Sequence, residues 1–99
     1  MSNATKLFQR RIEFPEGCVL EGVVWLLPSK PVLGSQHLYK YRLYYGCEGR
    51  RDIGYDNERG KGDHRHYGER EEPYTFKTPE KLLEDFFTDV NVFRSRGKS

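Results

Sequence analysis

The amino-acid sequence predicts an α+β domain, an antiparallel meandering β-sheet of five or six strands with one C-terminal α-helix packed on a face. Two observations carry this. Between residues 6 and 76, short runs of alternating apolar and polar side chains are punctuated by Gly and Pro, the period of half-buried strands. After Phe76 the apolar period changes to that of a helix and holds as far as Phe93. A length of 99 residues gives one core and excludes a separate cofactor-binding lobe. Hydrophobic residues make up 35% of the chain and charged ones 32%, with a mean hydropathy of -0.88. That composition is sufficient for a small core. It contains no apolar run of about 18 residues that could cross a bilayer, and no membrane partner is expected.

The elements follow in order. Residues 6–14 read as a strand in which Phe8, Ile12 and Phe14 share a face with Arg10, and 18–27 as a second, more apolar strand. Between them Pro15 presets a turn-compatible φ and Gly17 tolerates φ > 0, which predicts a hairpin. Pro28 and Pro31 end the second strand, because proline has no N–H for the ladder, and 28–35 form a connection. In the third strand, 36–45, His37, Tyr39, Tyr41, Leu43 and Tyr45 fall on one face and Lys40 and Arg42 on the other. The tyrosine stripe reads as core packing under the helix in preference to a base-stacking platform. A turn at 46–49 leads to a fourth strand, 50–57, with Ile53 and Tyr55 opposite Asp52 and Asp56. A loop at 58–62, a short strand at 63–67 and an edge segment at 72–76 complete the sheet, Pro73 marking the edge. Thr78 is a suitable N-cap, Pro79 fits the first helical position and Glu80 complements the dipole. Leu82, Leu83, Phe86, Phe87, Val90 and Phe93 form the apolar face, with Lys81, Glu84, Asp85 and Asp89 outside it. The domain is expected over 6–93, with 1–5 an expression remnant or disordered start and 94–99 a basic flexible tail.

The net charge of +2 is too small to argue for a nucleic-acid partner, and no segment is a basic block. Cys18 and Cys47 are the only cysteines and no secretory leader precedes them, so two free thiols in a reducing cytoplasm are expected. They cannot supply a four-ligand zinc site.

The densest constellation runs from Tyr55 to Tyr67 and includes Asp56, Lys61, Asp63, His64, Arg65 and His66. If 63–67 are extended, His64 and His66 point to one side and Asp63 and Arg65 to the other. Cleavage of an RNA phosphodiester needs a base for the 2′-hydroxyl, an acid for the departing 5′-oxygen and cations for the pentavalent phosphate, and all three types occur here. Imidazole suits the proton transfers because it titrates near neutrality. The same residues also read as a solvated hairpin whose histidines pair with Asp56, Glu58 or Asp63, and composition alone favours that reading, because clustered charges are often structural. His-x-His with one carboxylate is a weak metal motif, so neither a metal nor a cofactor is expected. Gly60-Lys61-Gly62-Asp63 lacks the spacing of a phosphate-binding loop.

A family pattern is also present. Tyr39-Lys40-Tyr41-Arg42-Leu43-Tyr44-Tyr45, Tyr55-Asp56-Asn57, Lys61-Gly62-Asp63-His64-Arg65-His66 and Thr78-Pro79-Glu80-Lys81-Leu82-Leu83, in that order, resemble the TumE-like family of prokaryotic toxins. Many of its members carry a longer insert after the Asp-Asn pair than the Glu58–Gly62 stretch found here. The resemblance implies a small cytoplasmic toxin, encoded beside a DNA-binding antitoxin that neutralises it by direct binding. Analogy with other small sheet-plus-helix toxins suggests a metal-independent ribonuclease. His64 and His66 would then be the acid/base pair, Lys61 and Arg65 would stabilise the phosphate, and Asp56 would orient an imidazole. Lys40, Arg42 and Tyr55 would contact RNA. The alternative is a non-catalytic module that docks a regulator or nucleic acid through its sheet. A homodimer is left open.

Overall fold

The computed structural model describes residues 3–96. Six strands, β1 (Thr5–Glu13), β2 (Cys18–Leu26), β3 (Tyr39–Cys47), β4 (Arg50–Glu58), β5 (Gly62–Tyr67) and β6 (Arg70–Pro73), precede one helix, α1 (Pro79–Arg96). Each strand pairs antiparallel with the next, giving the order β1-β2-β3-β4-β5-β6. The expected α+β meander is therefore the fold. Thr78 caps α1 by accepting the Lys81 N–H on its Oγ1 at 3.0 Å, and Pro79 opens the helix.

Alternation along the strands gives the sheet two unlike faces. One is covered by α1 and buries Leu20, Val24, Tyr41, Leu43, Tyr45, Ile53 and Tyr55 against Leu82, Phe86 and Val90. The tyrosine stripe thus belongs to the core. The other face is open, and the strand registers place Val23, Arg42, Asp56 and His64 in one row across it and Glu21, Tyr44, Gly54 and His66 in the next.

The packing differs from the expected helical wheel in informative ways. Leu82 is fully buried and Leu83 only partly, while Phe93 at 38% exposure overhangs the end of the sheet. Asp85 and Asp89, expected outside the helix–sheet contact, turn back to it. Tyr74 OH donates to Asp85 at 2.7 Å, and Asp89 accepts from both Tyr55 OH and Tyr67 OH. Buried phenols need acceptors, and these carboxylates provide them at the rim of an apolar contact. Arg94, expected in a flexible tail, is helical. Its guanidinium lies 3.8 Å from the Phe14 ring centroid, donates to Tyr45 OH at 3.0 Å and pairs with Glu16 at 2.9 Å. Residues 97–99 of that expected tail, and residues 1–2 of the expected start, lie outside the described residues; Thr5 already belongs to β1.

The cysteines overturn the expectation of free thiols. Cys18 and Cys47 are directly opposite one another in the β2–β3 ladder and form a disulfide across 29 residues of sequence, with Cα atoms 3.9 Å apart. Spacing along the chain gave no hint of this, because the pairing is created by the register of two strands.

β3 begins three residues later than its alternation suggested. Residues 27–38 instead form a loop that carries His37, and it is fastened to the sheet by a polar cluster around Asp63. Ser35 Oγ donates to Asp63 Oδ1 at 2.6 Å, while His37 Nε2 and Tyr41 OH reach Oδ2 at 2.6 Å each. His37 Nδ1 accepts the Tyr39 N–H, so Nε2 carries the proton given to Asp63. Phe76 stacks on the same imidazole with centroids 3.9 Å apart. Asn57 completes the cluster: its Oδ1 accepts the Tyr41 N–H and its Nδ2 donates to Ser35 Oγ and to the Tyr39 carbonyl. The β3–β4 ladder runs only to Arg42↔Asp56, and the Asn57 side chain then takes over the bonds a neighbouring backbone would have made.

Candidate functional site

The open face of β3, β4 and β5 gathers the chemistry-bearing residues. Tyr55, Asp56 and Asn57 are consecutive but point to different environments, so only Asp56 reaches this face, between Arg42 and His64. Arg51 arrives there through an irregularity. Tyr45 pairs with Ile53 but Gly46 with Arg51, so β4 carries one additional residue at this point, which re-aims the arginine. The Arg51 side chain then lies over Gly54, where a Cβ would sit 2.8 Å from its Cδ, and its Nη2 reaches His66 Nδ1 at 3.0 Å.

These contacts define the two histidines differently. A guanidinium only donates, so His66 Nδ1 accepts and the proton resides on Nε2. That Nε2 is buried without a hydrogen-bond partner and faces Asp56 Oδ2 at 3.6 Å. At His64 the roles are reversed. Nδ1 lies 3.2 Å from the Gly62 carbonyl, which can only accept, so Nδ1 is the donor and Nε2 is the atom free to exchange a proton. His64 Nε2 is 3.7 Å from Glu71 Oε2, and the side chain is 18% exposed.

Around this pair the face is cationic. Lys40, Arg42 and Arg59 are exposed and have no acidic partner among the described residues. They line a cleft of about 710 Å³ beside the histidines, with Arg51, the carboxylates Asp56 and Glu58, and the loop side chains Leu27, Val32 and Leu33. Unpaired cations beside a cleft create a field that attracts anions. Lys61 stands on the β4–β5 turn, exposed and 3.5 Å from Glu58, a surface pair that holds it only weakly.

Two residues expected at the site are elsewhere. Tyr55 is 1% exposed and lies under α1, where burial and then its hydrogen bond to Asp89 push the phenol above its ordinary range. Its position in the core under the helix keeps it off the open face. Arg65 is also on the helix face, bonded through Nε to Glu72 at 2.6 Å. Even-numbered His64 and His66 cannot share a strand face with odd-numbered Arg65. Sequence reasoning missed Arg51 and Tyr44. Tyr44 was legible from alternation, because it falls with Lys40 and Arg42, whereas the extra residue that re-aims Arg51 left no sequence signal. Among the described residues no three His, Cys, Asp or Glu side chains are grouped so as to hold a metal ion, and no helix is long and apolar enough to cross a membrane.

The family model for toxin TumE matches residues 4–94, from the start of β1 almost to the end of α1. The chain belongs to the toxin TumE family. A toxin of this family has a toxin–antitoxin partner. No curated protein and no solved structure matches the chain. The TumE match spans every strand of the open face, including Lys40, Arg42, Asp56, His64 and His66.

Proposed function

We propose that this TumE-family toxin is a metal-independent ribonuclease that works on the open face of its sheet. The observation that carries the reading is the coincidence of unpaired Lys40, Arg42 and Arg59 with His64, His66 and Asp56 on one side of the sheet. Three cations without acidic partners suit a polyanion, and imidazoles beside them suit proton transfer at a phosphate. His64 Nε2 takes the 2′-hydroxyl proton, the 2′-oxygen attacks phosphorus, and the bond to the 5′-oxygen breaks to leave a 2′,3′-cyclic phosphate. Arg42 and Arg51 neutralise the charge gathered on the phosphate oxygens, with Lys61 at the rim. When Arg51 turns to the phosphate it releases His66 Nδ1. That atom can then be protonated, and the imidazolium supplies the proton to the departing 5′-oxygen while Asp56 orients the ring. Tyr55 and Arg65 have no part in this scheme. A DNA-binding antitoxin, acting in the cytoplasm by direct contact, is the partner that fits. In a reducing cytoplasm the Cys18–Cys47 pair would be a dithiol held together by the ladder.

The test is growth inhibition and RNA cleavage by His64→Ala and by His66→Gln, with folding checked by circular dichroism. Both activities should be lost with the melting curve of the His64 variant unchanged, since a partly exposed side chain alters stability by about 0.5 kcal/mol or less. If the double variant remains as toxic as the parent at equal expression, the ribonuclease reading fails and docking through the sheet replaces it.

A further inference from the structure

The open face carries a second pattern that the proton-transfer residues do not use. Along β3, Lys40, Arg42 and Tyr44 occupy successive positions of this face, and Trp25 of β2 stands directly opposite Lys40. Trp25 therefore stands beside Lys40, about 14 Å from Tyr44 at a rise of about 3.4 Å per residue, with Arg42 between the two aromatics. Both aromatics are only partly buried, unlike Tyr41 and Tyr45 on the opposite face. The Tyr44 side chain lies along the strand over Gly46, where an added Cβ would meet its hydroxyl at 2.5 Å and its Cζ at 2.8 Å. Glycine at that position makes room for the Arg50 backbone oxygen, the nearest atom to such a Cβ, and for the phenol to rest on the sheet. The acid opposite Tyr44, Glu21, is committed to Arg11 at 2.7 Å and does not repel an approaching phosphate through an unpaired charge.

We infer that this line is the path of a single RNA strand, with one base stacked on Trp25, another on Tyr44, and intervening phosphates on Lys40 and Arg42. The path crosses beside Asp56 and His64, which neighbour Arg42 in the strand registers. Aromatic platforms interleaved with cations are suited to unpaired bases, whose π-faces are accessible only outside a duplex. Lys6 holds its ammonium 5.1 Å from the Trp25 ring centroid, so a base stacking there exchanges a cation–π contact for base stacking and leaves that charge beside the strand. The inference takes the identity of its ligand from the ribonuclease reading, but binding and cleavage are separable.

Trp25 is the only tryptophan, and its fluorescence reports occupation of the path directly. The probe is a twelve-nucleotide single strand with 2′-O-methyl groups, which cannot be cleaved through its 2′-oxygen. It should quench Trp25, whereas the same sequence as a duplex should not. Tyr44→Leu, which keeps bulk without a π-face, should weaken binding about ten-fold, and Tyr44→Phe should not. Arg42→Ala should reduce the salt dependence of log K by about 0.7 unit, the value for one contact on a single strand. Unquenched Trp25 together with parental affinity in Tyr44→Leu would overturn the path, and cleavage of all-ribose RNA in that case would leave the ribonuclease reading intact. Quenching and binding by a protein that cleaves no RNA would sustain the path and remove the ribonuclease reading. Quenching by the antitoxin but not by the single strand would assign the face to the protein partner and overturn the path.

Discussion

Replacing Asp63 by Ala tests whether the loop at 27–38 is held by a polar cluster or merely rests on the sheet. The carboxylate accepts from Ser35 Oγ, His37 Nε2 and Tyr41 OH, and its removal orphans all three donors. Leaving a buried donor unsatisfied costs about 1–3 kcal/mol. Tyr41 is 3% exposed and should incur the larger penalty, whereas His37 and Ser35 are partly accessible and can recover water. Burial first, and then the bond to Asp63, raise the Tyr41 phenol well above its ordinary range, so ionisation offers it no escape at neutral pH. The expected loss is about 3–5 kcal/mol, a large part of the roughly 5–15 kcal/mol that stabilises a domain. With a urea m-value of about 2 kcal/mol/M, the midpoint should fall by about 2 M. The loop should also become sensitive to chymotrypsin after exposed Leu33 before the sheet unfolds, because its fastening is lost locally. A midpoint within about 0.3 M of the parent, with the bond after Leu33 still protected, would refute the assignment of Asp63 as the anchor.

Two further outcomes are expected. Reduction of Cys18–Cys47, or its replacement by two serines, should lower stability by about 3–4 kcal/mol from the entropy of a loop with a sequence separation of 29, measured as paired urea curves with and without a dithiol reductant. Coincident curves would show that ladder register alone holds this end of the sheet. Stability should also decline in acid through Asp85. Burial works against its ionised form, but hydrogen bonds from Tyr74 and Lys81 outweigh it and hold the carboxyl below its ordinary value. A depressed folded-state pKa contributes stability that is present above the unfolded value of about 3.9 and is lost as pH falls through the folded value. Asp85→Asn should therefore flatten the stability–pH curve below about pH 4. An unchanged slope there would place the acid sensitivity elsewhere.

Much of the fold was legible because local chemistry and global packing agree along most of the chain. Alternation from Phe8 onward, the proline stops at Pro28 and Pro31, and the Thr78-Pro79-Glu80 start each specify an element through a few neighbouring residues. His37 is the instructive failure. Its position extended the alternation of Tyr39 and Tyr41, yet the residue leaves the strand because Asp63, 26 residues later, supplies a stronger partner than an edge of ladder could. Asp85 and Asp89 were placed outside the helix contact by polarity alone. Polarity does not register that three phenols, Tyr55 and Tyr67 on the sheet and Tyr74 just after it, need acceptors at the rim.

The candidate site divides along the same line. Period-2 geometry is a property of the backbone, so the sequence by itself put His64 with His66 on one side of their strand and Lys40 with Arg42 on one side of theirs; that the two sides form one face across β4 is set by the registers. It also separated Tyr55 from Asp56. What only the tertiary structure decided was register. Whether Cys18 meets Cys47, whether Arg51 caps His66, and which nitrogen of each imidazole is left free depend on which residues stand opposite one another across 15 to 29 positions of chain. Strand pairing energies change little with a slip of two residues, since side chains keep their faces, so local sequence specifies the face strongly and the partner weakly. The partner is selected by the sum of turns, the additional residue in β4 and the packing of α1, and that sum exists only in the folded chain.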